Sequence, residues 1–258
     1  MAFNHENLIV YQRTLPFNSK VSRWTSQWES KHAICDQLSR AAGSMLENIA
    51  MASAAYSLMK QRCLDYALGS CLECAACLDL ARIKGLINAN EAYSTKDELS
   101  QILQMLVGLR RSWSSSSLTL REEQPEYAAA PREADKELGQ KILFHHESLD
   151  VYHVAIETAT AVCSSEAVAH LSNPVFRRLD ELLTSMVLNI AEGNGRFSDA
   201  DQARFLGTAH ESAIKLAARL DLYVTQGLIP RENAEGWKCL LERVSVMSSS
   251  MISNIQKR

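Results

Sequence analysis

The sequence predicts an all-α protein built as two tandem up-down-up-down four-helix bundles, and three observations predict it. First, the stretch LDELLTSMVLNIAEGNGRFSDADQARFLGTAHESAIKLAARLDL (Leu179–Leu222) has a worn copy upstream, LSRAAGSMLENIAMASAAYSLMKQRCLDYALGSCLECAACLDL (Leu38–Leu80). Second, apolar residues in both copies recur at steps of three and four, the spacing of one face of a helix. Third, only ten Gly and five Pro occur in 258 residues. So few breakers suit an all-helical chain. At this length two domains are the better expectation than one core.

The copies register almost without gaps. Phe3-Asn4-His5-Glu6-Asn7-Leu8-Ile9-Val10-Tyr11 matches Phe144-His145-His146-Glu147-Ser148-Leu149-Asp150-Val151-Tyr152 at an offset of 141. Leu38 pairs with Leu179, Met45 with Met186, and Asn48-Ile49-Ala50 with Asn189-Ile190-Ala191 at the same offset. One residue enters near the turn. The offset then becomes 142, pairing Arg62 with Arg204, Ser70 with Ser212, Leu78-Asp79-Leu80 with Leu220-Asp221-Leu222 and Gly85 with Gly227. A shared period over so many positions indicates duplication.

Each copy is expected to carry four helices. The first spans roughly 8–28 and 149–170, with Asn7 or Ser148 placed to cap its open N–H groups. Pro16 has no counterpart in the second copy, so the first-copy helix is expected to start late or kink there. The second helix spans 31–52 and 174–192, with Leu38, Ala41, Met45, Ile49 and Leu179, Leu182, Met186, Ile190 on its inner face. The third spans 57–84 and 198–226. Its stripe is Leu64, Ala67, Cys71, Ala75, Leu78 and Leu206, Ala209, Ala213, Ala217, Leu220, whose small members let a neighbour approach closely. Gly85 and Gly227 stop it as residues just past the helix end. The fourth spans 96–113 and 231–256, with Pro230 suited to its start. Residues 1–114 form the first bundle and 141–258 the second. Ser, Pro and acidic residues without periodicity make 115–140 a linker.

Composition narrows the function classes. No apolar run approaches the ~18 residues of a membrane span, and the N-terminus lacks a signal-peptide plan, so a cytoplasmic protein with no membrane partner is expected. Seven cysteines, an odd number without a secreted-type framework, read as reduced thiols. Net charge is −3; the first 114 residues carry twelve Lys+Arg against ten Asp+Glu, and residues 140–258 carry twelve against fourteen. Neither half has the basic excess of a protein held mainly by phosphate contacts.

The L-x-V-Y pattern at Leu149–Tyr152, then Asn189-Ile190-Ala191-Glu192-Gly193-Asn194-Gly195-Arg196, then Arg204-Phe205-Leu206 and the Gly227-Leu228-Ile229 close carry a resemblance. The second copy resembles the four-helix bundle proteins encoded in intervening sequences of bacterial large-subunit ribosomal RNA, a group that includes the accessory variability determinant of diversity-generating retroelements. The match runs from Phe144 to about Asn254. The first copy keeps the frame but reads Asn48-Ile49-Ala50-Met51-Ala52-Ser53-Ala54-Ala55 at the signature. The resemblance implies small antiparallel bundles, often in ring-like homo-oligomers, and nucleic-acid and reverse-transcriptase binding in the retroelement branch. It implies no catalytic residues. Family members are single bundles and often basic, whereas this chain is fused and slightly acidic.

Several residues stand out as candidate sites. Gly193 and Gly195 permit positive φ and so can end the second helix and reverse the chain. On a functional reading, Asn194 and Arg196 present polar groups on an exposed tip. Asn48 and Asn189 lie inside the second helix, where a buried Asn satisfied across the bundle would fix helix register. Trp24 and Trp28, four apart, share a face; they cover a seam or core, or anchor a partner protein. Arg177, Arg178, Arg196 and Arg204 could gather as a modest basic patch near the second-copy turn, against the plainer reading of solvated surface. Arg110 and Arg111 suit a helix C-terminus.

Metal and catalytic readings fail on residue type and spacing. Cys71, Cys74 and Cys77 imitate an iron–sulfur run, but the spacing falls within a helix and lacks a fourth thiolate. A di-iron bundle needs Glu-x-x-His on two helices; Glu29-Ser30-Lys31-His32 is single and straddles a boundary. No cofactor and no metal are expected. The expected function is a non-enzymatic interaction or scaffold protein, an adaptor or subunit of a larger assembly with protein partners and self-association. The alternative is a nucleic-acid-binding accessory factor.

Overall fold

A computed structural model of the chain describes residues 3–114, 143–196 and 198–257. The expected linker, 115–140, lies outside the described residues. Within them the chain is helical and without strands. The first set is α1 (Ile9–Gln27), α2 (Ala33–Ala54), α3 (Ser57–Ile83) and α4 (Ala89–Ser114). The second is α5 (Asp150–Cys163), the single turn α6 (Glu166–Ala169), α7 (Asn173–Asn194), α8 (Asp199–Thr225) and α9 (Arg231–Ile255). A 3-10 turn precedes the first helix of each set, at Asn4–Asn7 and His145–Ser148. In each set neighbouring helices pack in sequence order and the last returns to the first, closing two four-helix bundles.

The duplication persists in detail. Both third helices are 27 residues long. Both end on a glycine in the left-handed region, Gly85 at φ 69° and Gly227 at φ 68°. Behind Gly85 the amide of Leu86 donates to Ala81 and that of Gly85 to Arg82, and Leu228–Tyr223 and Gly227–Val224 repeat the pattern. These reversed bonds satisfy carbonyls that the helix end leaves open. The expected inner faces of α2 and α7 are buried at all eight positions.

The asparagines are a correction. Asn48 donates within its own helix, to the Ser44 carbonyl at 2.8 Å, and Asn189 to the Ser185 carbonyl at 2.7 Å. Both side chains are half-buried. The bond that crosses between helices is made by hydroxyls, Ser70 to Ser44 and Ser185 to Ser212, each 2.9 Å. Asn therefore orients a serine, and the serine pair ties second helix to third.

Other expectations shift. α1 begins at Ile9 and runs through Pro16, so Gln12 simply loses that donor. Leu8 and Leu149, not Asn7 and Ser148, stand at the helix N-caps, and Ser148 instead donates to the His145 carbonyl at 2.8 Å. In the second copy the first helix stops at Cys163, because Ser164 turns its hydroxyl back onto Thr160 and Ser165 takes extended backbone. α4 starts at Ala89, seven residues early. There Asn88 and Glu91 cap one another's amides reciprocally at 2.9 Å.

The two bundles share one hydrophobic core. α3 is the element between them: it packs on α2 and α4 and also on α5 and α7 of the second bundle. This explains why its residues are apolar nearly all round, with Leu72, Cys74, Ala75, Ala76, Cys77, Leu78 and Leu80 at most 1% exposed.

Candidate functional site

The side chains with the most unusual surroundings lie on the seam between the bundles. Gly69, Leu72 and Asp79 of α3 and Lys84 at its C-cap lie along one broad side, and each meets a residue of the second copy.

Asp79 and Lys96 of the first copy face His146, Glu147 and Tyr152 of the second. Lys96 Nζ stands 2.8 Å from Asp79 Oδ1 and also pairs with Glu147 Oε1. Tyr152 donates its hydroxyl to Asp79 Oδ2 at 2.9 Å. Glu147 holds its own turn, accepting from the amides of Leu143 at 2.7 Å and Phe144 at 3.0 Å. Burial weakens the Lys96 ammonium, but the two carboxylates outweigh it and hold its pKa above the ordinary value. His146 is fully buried, stacked beside Phe144 and edge-on to Tyr152, and neither ring nitrogen has a hydrogen-bond partner. Burial and the neighbouring Lys96 push its pKa down to about 3, so it is a neutral ring.

Ligand atoms of Asp79, His146 and Glu147 come within 4.8 Å of one another, the kind of gathering that could hold a cation. Lys96 already bridges the two carboxylates, so the ammonium stands where a metal would. Chemically the cluster is a buried ion-pair junction.

At the other end of the seam Lys84 pairs with Asp180 at 2.5 Å and donates to the Thr184 hydroxyl at 3.0 Å. Asp180 also accepts from the Ala33 amide at 2.8 Å, at the start of α2. His32 meets Phe176 edge-on, 5.4 Å between ring centroids.

The signature turn is where expectation and structure part most. Gly193 lies inside α7 and Gly195 has φ −89°, so neither needs the left-handed region. Space is their reason. A Cβ on Gly195 would overlap the Leu72 methyl, and one on Gly193 would come within 3.1 Å of Phe205 Cβ. Nor is the turn an exposed tip. Arg196 pairs with Glu192, lies 4.6 Å over the Phe205 ring, and puts its guanidinium against Gly69. Asn194 is half-buried, its amide 2.8 Å from His145 Nδ1. Glu73 and Glu192 meet Arg196 here; burial, reinforced by Glu192, pushes Glu73 up to about 7.

The expected arginine patch is not one patch. Arg177 and Arg178 are exposed at the start of α7, both on Glu181, at 3.2 and 3.1 Å. Arg196 follows the other end, roughly 28 Å along the helix axis at about 1.5 Å per residue. Arg204 is exposed, paired with Asp201 at 3.3 Å and lying over Phe205. Arg110 is buried against Asp65 at 2.6 Å. Trp24 and Trp28 stack on each other, 6.2 Å between centroids, half-buried against the core. Cys71, Cys74 and Cys77 are buried within α3, and burial raises all three thiol pKa values.

The junction itself was missed by sequence reasoning, although a signal existed. Asp79 and its counterpart Asp221 interrupt apolar helix faces in both copies, and Phe-x-His-Glu recurs before each first helix, at Phe3–Glu6 and Phe144–Glu147.

No helix among the described residues is long and apolar enough to cross a membrane. The chain matches the family model for 23S rRNA-intervening sequence protein twice, over residues 6–108 and 147–250. No curated protein and no solved structure matches it.

Proposed function

The chain belongs to the 23S rRNA-intervening sequence protein family, two copies of which it carries in tandem, and from that premise we propose that it is a non-enzymatic interaction protein, a scaffold or adaptor acting in the cytoplasm. One observation carries the reading. Groups suited to chemistry or metal binding (His146, Lys96, Tyr152 and the α3 cysteines) are buried between or within the bundles, whereas large apolar side chains face outward. Ile214, Leu222 and Val246 are 51%, 41% and 59% exposed on α8 and α9, and Phe3 and Ile9 are 71% and 67% exposed at the other end of the duplicated frame. Outward apolar side chains on a rigid helical frame suit protein contacts.

Fusing two bundles through a buried seam fixes their relative placement, so each presents a different outward surface. Trp24 and Trp28 give the first bundle a half-buried aromatic ledge that a partner could extend. The nucleic-acid reading has less support. Within the candidate cluster the exposed Arg177, Arg178 and Arg204 each pair with a nearby carboxylate, and the cluster is divided between two ends of α7.

The test is affinity capture of the full chain from native lysate, with and without nuclease. Protein partners that survive nuclease treatment and weaken with Trp24→Ala/Trp28→Ala are the expected result. Partners that vanish with nuclease would replace this reading by the nucleic-acid one.

A further inference from the structure

His146 is the member of the seam junction that the ion pairs do not explain. Lys96, Asp79, Glu147 and Tyr152 partner one another without it. The ring is 0% exposed, and neither of its nitrogens has a hydrogen-bond partner. A phenylalanine would pack against Phe144 and Tyr152 equally well without leaving two buried polar atoms open, which costs free energy. A neutral imidazole nitrogen that accepts no proton donor is a ready ligand for a transition-metal ion.

Its neighbours supply the other donors. A ring nitrogen of His146 and carboxylate oxygens of Asp79 and Glu147 lie within 4.8 Å of one another. Glu147 gives Oε2 to the amides of Leu143 and Phe144 and turns Oε1 toward Lys96. Asp79 takes the Tyr152 hydroxyl on Oδ2 and presents Oδ1 to the same ammonium. Each carboxylate is thus oriented by a second partner and keeps one oxygen for a cation, as metal-binding carboxylates are. One nitrogen with two carboxylate oxygens suits zinc, whereas calcium and magnesium prefer oxygen alone.

We propose that this junction binds a divalent ion of the zinc class in exchange for the Lys96 ammonium, so that the metal staples the first bundle to the second. Lys96 stands at the rim of the cluster: its side chain is 10% exposed and those of Asp79 and Glu147 are 14% each. Its flexible stem carries the ammonium out to water while the ion enters between the carboxylates, one cation replacing another. A divalent ion balances both carboxylates, where one ammonium balances only half of their charge. Three protein donors leave the remaining position of a four-coordinate ion to water. Asp79 belongs to the first bundle and His146 and Glu147 to the second, so the ligands gather only in the folded chain and binding stabilises it. The site stands whether the partners of the chain are proteins or nucleic acid.

Isothermal titration of zinc chloride into the full chain tests it, with cobalt chloride as a coloured substitute. Wild type is expected to take up one ion and to unfold at a higher temperature with zinc than without. His146→Phe keeps the packed ring and removes the nitrogen. It is expected to lose about a hundredfold in affinity, while its unfolding midpoint without zinc is no lower than that of wild type. Lys96→Met removes the competing charge, so it is expected to bind about tenfold tighter and to regain with zinc much of the stability it lacks without it. If Lys96→Met folds under neither condition, wild type against His146→Phe decides alone. The cobalt complex is expected to show visible bands of nitrogen and oxygen ligation. Strong near-ultraviolet thiolate bands would place the ion on the cysteines and overturn the proposal. A wild type that takes up no zinc, or His146→Phe binding as wild type does, would overturn it equally.

Discussion

Leu72 of the first bundle and Gly195 of the second meet so closely that a single added carbon on Gly195 would overlap the leucine methyl. Leu72 is 1% exposed and has little room to retreat. Gly195→Ala is therefore expected to destabilise the chain by about 2 kcal/mol through overpacking, and Leu72→Ala by about 3 kcal/mol through the cavity it leaves. Combined, the two changes should cost clearly less than their sum, because the smaller side chain makes room for the methyl. Urea unfolding of the four proteins measures this, and strict additivity would show that the residues do not share the space.

The sequence makes the helices legible and leaves the seam obscure, for a physical reason. Apolar steps of three and four report which face of a helix is buried, and they placed α2, α3, α7 and α8 within about two residues. They do not report what covers a second face. Leu72, Ala76 and Leu80 read as ordinary additions to an apolar helix, although they mark a second partner. The glycines show the same ambiguity. Gly85 and Gly227 follow a helix end and have the expected left-handed φ, whereas Gly193 and Gly195 are small because Phe205 and Leu72 stand against them. Spacing alone cannot separate those causes. The junction was within reach through duplication, since Asp79 and Asp221 align and a charge held at equivalent positions on two apolar faces needs a partner.

Lys96 is the cation that bridges two carboxylates in a place shielded from water, so its removal should be far more damaging than that of its counterpart. Lys96→Met leaves Asp79 and Glu147 without their cation and is expected to cost about 3–5 kcal/mol. Lys238→Met breaks an exposed pair and should cost the monomer under about 1 kcal/mol. Adding Asp79→Asn and Glu147→Gln to Lys96→Met should recover much of the loss, because no buried charge then remains. Chemical denaturation at low protein concentration compares them, and equal costs for the two lysine variants would contradict the buried junction.

Two buried groups on the seam bias stability in opposite directions with pH. Glu73 is raised from an ordinary 4.5 to about 7, first by burial and then by Glu192. The folded chain therefore keeps a proton that the unfolded chain releases, and this contribution is complete below pH 4.5 and lost as pH rises through 7. His146 is lowered from 6.5 to about 3, so its contribution is complete above pH 6.5 and lost as pH falls toward 3. Between these ordinary values the slopes oppose each other. Glu73→Gln removes the first and should leave a steeper acid loss, with wild type relatively more stable at pH 4.5 than at pH 8 by about 3 kcal/mol. Unfolding free energies of both proteins from pH 4 to 8 provide the comparison. Parallel curves would mean that Glu73 titrates as a solvated carboxyl.

Glycine substitutions should change sign along one short stretch of the second bundle. Gly227 sits at φ 68°, where a Cβ crowds the following carbonyl. No neighbouring atom lies within 4 Å of the added carbon, so the cost of Gly227→Ala is backbone strain alone, about 1 kcal/mol. Gly227→Asn should cost less, because asparagine tolerates that region. Nine residues on, Gly236 lies inside α9 with open space around it and no positive φ. Gly236→Ala is therefore expected to stabilise by up to about 1 kcal/mol, the difference in helix propensity. Gly85→Ala should repeat the Gly227 loss in the first copy, since the same reversed hydrogen bonds close α3. Thermal unfolding of the four variants decides the matter. A loss at Gly236 equal to that at Gly227 would remove the left-handed helix end as the cause.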